Sequence, residues 1–405
     1  MQRARLFSWQ LYTHQNYGDA LLAEAIRYLF HSFGQRQCFR IENGADNRYT
    51  VGPRMIELAN RYDAGIIAGG GLILPRNEKL SGWAFKSSVK NARLLRKTII
   101  FALGYNLYHR HDGLPPIFKE HFEAILENSP FVGLRNHGSI EKVKEIVDPR
   151  FHERIVFQPC PTTFVRQLVD EIDPVNRPEL GRRATLQISL FGASQFGSKI
   201  DDDRFCSEVL KACCQLKARG YELEIASFFA KFDTPIVGYL RTNGFAEFDF
   251  IEMNTEGADM LLGPRHFSKV PIVVSTRGHG TMVPFGAGST IVPLNTSPKI
   301  EYFAEECNIG DLLIEVDDPD LAGSIVRNVE RCHDEYEHIQ TRLEEQRQRF
   351  YEVSLDNLSR IYFLLTGVMP TERTCMPLNE FEVFLSSRLH SKSVKLEGIT
   401  RGKAG

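Results

Sequence analysis

The sequence predicts an α/β protein of two Rossmann-like domains, set one after the other, with a cleft between them. Three observations predict it. At 405 residues the chain is longer than one ordinary core holds. Short apolar runs alternate with amphipathic stretches along most of it. The runs are almost unbroken in Val, Ile, Leu and Phe, as parallel strands covered on both faces must be. Finally, the alternation stops at a stretch over 159–183 that holds four prolines and many charges, then starts again.

The first half reads in order as a strand over 4–10, a helix over 19–33 and a short strand over 38–41. A helix over 53–62 leads to a buried strand over 64–71 that ends in three glycines. A helix around 85–97, a strand over 98–104, a helix over 117–126, a strand over 131–135, a helix over 139–147 and a strand over 154–158 complete it. The second half runs through strands at 185–191, 221–229, 248–252, 271–275, 289–294 and 312–316. Helices fall at 203–219, near 234–244, after Glu256, near Gly280 and after Pro298. From 319 to 350 one long helix is expected, with Leu321, Ile325, Val329, Cys332, Tyr336, Ile339 and Leu343 on one stripe. A further helical run over 357–367 follows it. The domain division is therefore 1–172 and 173–350, with a helical extension at 351–385 and a flexible basic tail at 386–405. A weak membrane-surface contact is the alternative role for that tail.

Bulk properties narrow the function classes. Apolar content of 42% and charged content of 25% are those of a globular protein. A formal net charge of -2 gives no basic field for nucleic acid. The N-terminal segment lacks the apolar core of a signal peptide, and no apolar run is long enough to span a bilayer. A cytoplasmic protein is expected, with any membrane contact peripheral and at the inner face. Eight cysteines show neither CxxC pairing nor zinc spacing, so they read as reduced thiols, and no metal is expected.

In sheets of this kind ligands bind beyond the carboxyl ends of the strands. The residues there are Asn16, Gly18 and Asp19 after the first strand, Gly69, Gly70 and Gly71 after the third, and Arg135 after the fifth. The second half supplies Arg277, Gly278 and His279 after its fourth strand and Lys299 after its fifth. Asp19 serves equally well as a helix cap, and the three glycines as a tight turn. Arg135 and Arg277 close strands in different domains, and the planar guanidinium suits carboxylate or phosphate. The pair points to a small ligand with two anionic groups, and Lys299 adds a third positive charge. His279 lies in what reads as a glycine-flanked loop, a setting for general acid–base work.

This ordered set resembles the polysaccharide pyruvyl transferase family. The resemblance rests on Asn16, Gly18 and Asp19; Gly69 to Gly71; Trp83; Arg135 with Ser139; Ser275, Arg277 and His279; and Pro298 with Lys299, spread over residues 10 to 310. It implies a GT-B-like fold whose C-terminal helices pack back across both halves. It also implies transfer of a pyruvyl group from phosphoenolpyruvate to sugar hydroxyls, giving a ketal in surface-glycan assembly. His279 would be the acid or base, and Ser139 would join the binding residues. The acceptor would be a sugar, carried on a lipid-linked oligosaccharide or a nucleotide, and no cofactor is implied. Two departures stand out: Gly278 replaces a larger apolar residue, and Cys160 stands where the family carries Asp. Competing readings are a GT-B glycosyltransferase using a nucleotide sugar and a non-catalytic glycan-binding relative.

Overall fold

The computed structural model describes residues 3–10, 15–46, 49–107, 113–169, 172, 177–190, 201–253 and 260–376. The domain boundary expected near Asp173 and the basic tail lie outside the described residues.

The first half contains β1 (Ala4–Gln10), α1 (Tyr17–Ser32), β2 (Phe39–Asp46), α2 (Pro53–Ala59), β3 (Ala64–Ile73) and α3 (Val89–Ala92). It continues with β4 (Thr98–Tyr105), α4 (Ile117–Leu126), β5 (Val132–Leu134), α5 (His137–Lys144) and β6 (Ile155–Phe157). A 3-10 turn, Pro161–Leu168, leads out of it. The second half contains β7 (Arg183–Gln187), α6 (Asp202–Ala218), β8 (Glu222–Ser227), α7 (Ala230–Thr242), β9 (Asp249–Glu252) and α8 (Leu262–Phe267). Then come β10 (Ile272–Ser275), α9 (Gly278–Ala287), β11 (Thr290–Asn295), α10 (Pro298–Glu306), β12 (Ile314–Glu315), α11 (Leu321–Asp334) and α12 (Tyr336–Thr366).

Six strands form one sheet in the order β2-β1-β3-β4-β5-β6, and six form another in the order β12-β11-β10-β7-β8-β9. All pairings are parallel. Alternate residues of the central strands enter different cores. Leu6, Ile66, Ile99 and Phe101 join the core that continues into the second half. Phe7, Ile67 and Ile100 join a separate core with Trp83, Phe118 and Phe122. Burial on both faces is what makes these strands read as unbroken apolar runs.

Three local expectations change. The three glycines lie inside β3 and not beyond it. Gly69 and Gly70 take φ of +73° and +83°, and the register with β4 shifts between Gly70 and Ile73. The helix expected around 85–97 is four residues long: Ser88 caps it, and the backbone before it runs out to bond Val51. The long C-terminal helix breaks at Glu335, and α12 then runs unbroken through position 350 to Thr366.

That last helix joins the two halves. Its first part bonds the second half: Gln340 donates to the Gly288 carbonyl at 2.9 Å and Arg347 to the Phe285 carbonyl at 2.6 Å. Its later part bonds the first half: Asn357 donates to the Phe157 carbonyl at 2.9 Å, and Ser354 accepts from Gln158 at 3.0 Å.

Candidate active site

In each sheet the strand order reverses between two neighbours, β1 and β3 in the first and β7 and β10 in the second. Crevices at such points are where doubly wound sheets bind ligands. Here the two crevices face each other, because the start of α1 meets the start of α9. Tyr17 fixes this meeting. Its N–H donates to the Phe228 carbonyl at 2.9 Å, its hydroxyl donates to the Met260 carbonyl at 2.6 Å, and it accepts from the Gly263 N–H at 2.8 Å.

Gly18 is the contact point. A Cβ there would lie 2.2 Å from the Cβ of His279, so only glycine lets the imidazole lie against the helix. Asp19 follows within the first turn of α1. It does not cap the helix, since Asn16 holds that position. Asn16 Nδ2 donates to Asp19 Oδ2 at 2.7 Å, and Asp19 Oδ1 lies 3.3 Å from His279 Nδ1.

His279 is helical, not in a loop: Gly278 opens α9 and the histidine is its second residue. Glycine is a poor helix former, so packing decides the conformation. At Gly280 a Cβ would come within 2.3 Å of both Gln187 Oε1 and Ser275 Oγ, and at Gly286 within 1.9 Å of the Thr162 carbonyl oxygen. The close approach at Gly286 lays the turn Pro161–Leu168 directly on α9. It brings Cys160 against His279, with Cys160 Sγ 3.1 Å from Thr162 Oγ1. The His279 side chain is 10% exposed, and its Nε2 is buried and makes no hydrogen bond among the described residues.

Burial works against charge on these groups, yet each partner favours it in the others. Burial opposes the imidazolium, but Asp19 and Cys160 together raise the His279 pKa above its ordinary value. Burial likewise opposes charge on Asp19, but His279, and behind it Arg277 and Lys299, hold the carboxyl below its ordinary value. The Cys160 thiol is pushed up by burial and pulled down further by His279 and Thr162, for a net lowering.

Arg277 closes β10 and is held from behind. Its Nη1 lies 3.6 Å from Asp233 Oδ1 and 3.4 Å from Ser189 Oγ, and the guanidinium stands over the Phe229 ring. Asp233 is 1% exposed and accepts from the Phe228 and Phe229 N–H groups at 2.7 and 2.8 Å, so it cannot turn away. Lys299 lies in the first turn of α10 with its aliphatic stem beside Gly278.

The structure thus gathers Asn16, Gly18, Asp19, Arg277, Gly278, His279 and Lys299. Gly69 and Gly70 border the same place. With Gln10, Asp19 and Leu22 they line a small recess with room for little more than a water molecule. Gly71 packs on Asn106. Arg135 lies over Gly104, where a Cβ would come within 2.1 Å of its Nε. Ser139 is buried and accepts from the Tyr105 N–H at 3.0 Å, a bond that ties α5 to the end of β4. Trp83 is core: it donates to His121 Nδ1 at 2.9 Å. Among the described residues no group of three or more His, Cys, Asp or Glu side chains is arranged to hold a metal ion.

Sequence reasoning missed Gln10, Asp233 and the placing of Cys160. A glutamine closing an apolar strand was a usable signal for Gln10, which the structure buries fully. Nothing local marks Asp233 within its helix.

The family model for polysaccharide pyruvyl transferase matches residues 16–297, a span that carries Asn16, Gly18, Asp19, Cys160, Asp233, Arg277, Gly278 and His279, while Gln10 and Lys299 lie just outside it. The chain belongs to the polysaccharide pyruvyl transferase family. A search of curated proteins returns no match. Among solved structures, a Listeria monocytogenes protein assigned as a UDP-N-acetylglucosamine 2-epimerase superposes with a TM-score of 0.55 at 11% identity, covering 91% of this chain and 99% of its own. The S. aureus MnaA–UDP structure superposes with a TM-score of 0.51 at 9% identity, covering 92% of this chain and 100% of its own. Identities this low speak to the fold alone, which is GT-B, and this polysaccharide pyruvyl transferase family member carries its own residues in the cleft.

Proposed function

We propose that the protein transfers a pyruvyl group from phosphoenolpyruvate to two hydroxyls of a sugar, forming a cyclic ketal during assembly of a surface polysaccharide. The observation that carries this reading is the Asp19–His279 pair across the cleft, with Arg277 and Lys299 beside it. Nδ1–H of His279 points to a carboxylate, which fixes the tautomer and favours the protonated ring. The donor's phosphate is assigned to Arg277, Lys299 and the first turns of α9 and α10, where free N–H groups favour anions. Arg135 is assigned to its carboxylate. The acceptor is assigned to the open side of the cleft beside Gly69 and Gly70.

In this scheme His279 protonates the donor's methylene carbon, and C2 becomes electrophilic. One sugar hydroxyl attacks C2 and loses its proton, the C2–O bond to phosphate breaks, and the second hydroxyl closes the ring. Peripheral contact with the inner membrane face belongs to the same proposal. No helix among the described residues is long and apolar enough to cross a membrane. Phe363, Val368 and Met369 are exposed where α12 ends, and liposome flotation tests that contact.

The deciding experiment offers phosphoenolpyruvate and a set of nucleotide sugars separately, each with a panel of hexosides. Phosphate release supports pyruvyl transfer, nucleotide release supports glycosyl transfer, and neither supports a binding role. Calorimetry with Arg277→Ala and Arg135→Ala should show donor binding weaker by about 1.5–3 kcal/mol, the range for a charged hydrogen bond. Unchanged binding in both variants overturns the assignment of the two arginines.

A further inference from the structure

The two halves also meet where α10 lies against the start of α5. Glu306, the last residue of α10, is buried, and one oxygen of its carboxylate takes two contacts from His137, the first residue of α5. That oxygen accepts the His137 N–H at 2.6 Å and lies 2.5 Å from Nδ1 of the ring. The imidazole is stacked on Phe157 of β6, with ring centroids 5.0 Å apart. The dipole of α5 favours a carboxylate at this end as well. One turn earlier on α10, Tyr302 is pressed onto Gly138, where a Cβ would lie 2.4 Å from its ring. The transfer scheme uses none of these residues.

Each side of this contact leads to an anion anchor. Lys299, Tyr302 and Glu306 stand at i, i+3 and i+7, so they share one face of α10, with the Lys299 stem beside Gly278 at the far end. His137 comes two residues after Arg135, which closes β5. Asn136 between them caps α5 by accepting the Ser139 N–H at 2.8 Å, and the Arg135 N–H bonds the Leu103 carbonyl at 2.9 Å. The arginine and the start of α5 are therefore one piece. β5 stands three strands from β1 in its sheet, about 14 Å away at ordinary strand spacing. The contact is thus offset along the sheet edge from the meeting at Tyr17, and an offset contact restrains rotation of one half about the other.

We propose that Glu306 is a positioning residue. By holding the start of α5 it sets the spacing between Arg135 in the first half and Arg277 with Lys299 in the second, and so selects donors whose two anionic groups match that spacing. The proposal rests on the transfer reading, which assigns the donor's carboxylate to Arg135 and its phosphate to Arg277 and Lys299. A ligand held at both ends binds only molecules whose anchors are in register, and its apparent affinity falls with their fraction. An anion held at the phosphate end alone needs only the second half, so it does not sense the contact.

The test compares phosphoenolpyruvate with inorganic phosphate by calorimetry in the full-length protein. Glu306→Ala should bind phosphoenolpyruvate about tenfold more weakly, as when about a tenth of the molecules stay in register, and inorganic phosphate within about twofold of wild type. Gly138→Ala should do the same with no change of charge, because its Cβ pushes Tyr302 away from α5. A general loss of fold would lower both affinities together. Pulsed electron paramagnetic resonance supplies a readout without donor. Spin labels are placed at Lys119→Cys of α4 and Lys211→Cys of α6, both exposed, with Cys214→Ser because Cys214 is the exposed cysteine of the chain. Their distance should be narrow with Glu306 and Gly138 in place and broaden in either variant. Phosphoenolpyruvate bound by Glu306→Ala as tightly as by wild type overturns the proposal. So does a parallel loss of both probes, or a label distance unchanged in both variants. If Glu306→Ala does not fold, Gly138→Ala decides. A wild type that binds no phosphoenolpyruvate, with label distances that still broaden in the variants, sinks the transfer reading and leaves Glu306 setting the spacing of the halves.

Discussion

Alanine at Gly18 adds one carbon at the place where the two halves meet. Position 18 lies in the first turn of α1 with helical torsions, so the backbone accepts alanine, which helix propensity favours by about 1 kcal/mol over glycine. The added Cβ would lie 2.2 Å from the Cβ of His279, whereas ordinary contact begins near 3.4 Å. That atom is rooted in the backbone of α9, so no rotamer change relieves the overlap. Nor can α1 back away, because Tyr17 next door is bonded to Phe228, Met260 and Gly263. The overlap must displace His279 by about 1 Å. Overpacking costs about 1–3 kcal/mol, and propensity offsets part of it. The melting temperature should therefore fall by no more than about 5 °C. A misplacement of about 1 Å in a reacting group is enough for a loss of about 10² in rate. The assay pairs thermal melting with initial-rate phosphate release from phosphoenolpyruvate on one preparation. Gly278→Ala is the stability control, since its Cβ would meet the Lys299 stem at an ordinary 3.7 Å and it should melt with wild type. A Gly18→Ala protein that turns over within tenfold of wild type, or loses activity only in step with its fold, refutes the reasoning.

Three further outcomes are expected. His279→Ala should keep its melting temperature and donor affinity while losing about 10² to 10⁴ in turnover, the usual contribution of a general acid–base group; steady-state rates beside calorimetry check it. His121 accepts from Trp83 at Nδ1, contacts Ser87 at Nε2, and is pushed down to about 4 by burial, so it is neutral in the fold. The unfolded chain binds that proton near 6.5. Stability from this group is therefore complete above pH 6.5, is lost by about 3 kcal/mol as pH falls toward 4, and levels off below; urea melts followed by tryptophan fluorescence should show the slope in wild type and not in His121→Gln. Truncation before Asp356 removes Asn357 and the buried Leu358, Ile361 and Tyr362 from the first half, and should lower the melting temperature and solubility markedly; a monomer that melts with wild type would show that α12 does not join the halves.

How far the sequence reveals this molecule depends on whether a residue's partner is near it in the chain. β1, β3 and β4 were legible because both faces of each strand are buried, which writes an unbroken apolar run into local sequence. The stripe from Leu321 to Leu343 was legible because one buried face writes a helical period into the sequence, although a periodic pattern cannot show the break at Glu335. The residues 85–97 carry helical spacing, yet Lys86 spends its carbonyl on the distant Val51 N–H, a competitor that local pattern does not contain. The charged ends of the site, Asp19, Arg277 and Lys299, were legible because strand ends are. The places of Asp233 and Cys160 in the site were not, since Arg277 and His279 reach them only through the sheet order.

The run Gly278-His279-Gly280 shows what decides the difference. Glycines beside a histidine read as a loop, and intrinsic propensity supports that reading, because α9 holds three glycines and Pro284 within ten residues. A segment of that composition does not hold a helix by itself. Two of the glycines instead mark surfaces pressed against them: Gln187 and Ser275 at 280, and the Thr162 carbonyl at 286. The first surface is from the second half, and the other is the turn that leaves the first half. α9 is therefore helical only where both halves are docked, and His279 is in register with Asp19 only then. The feature that hid the helix in the sequence is the one that makes the placing of its histidine depend on closure of the whole molecule.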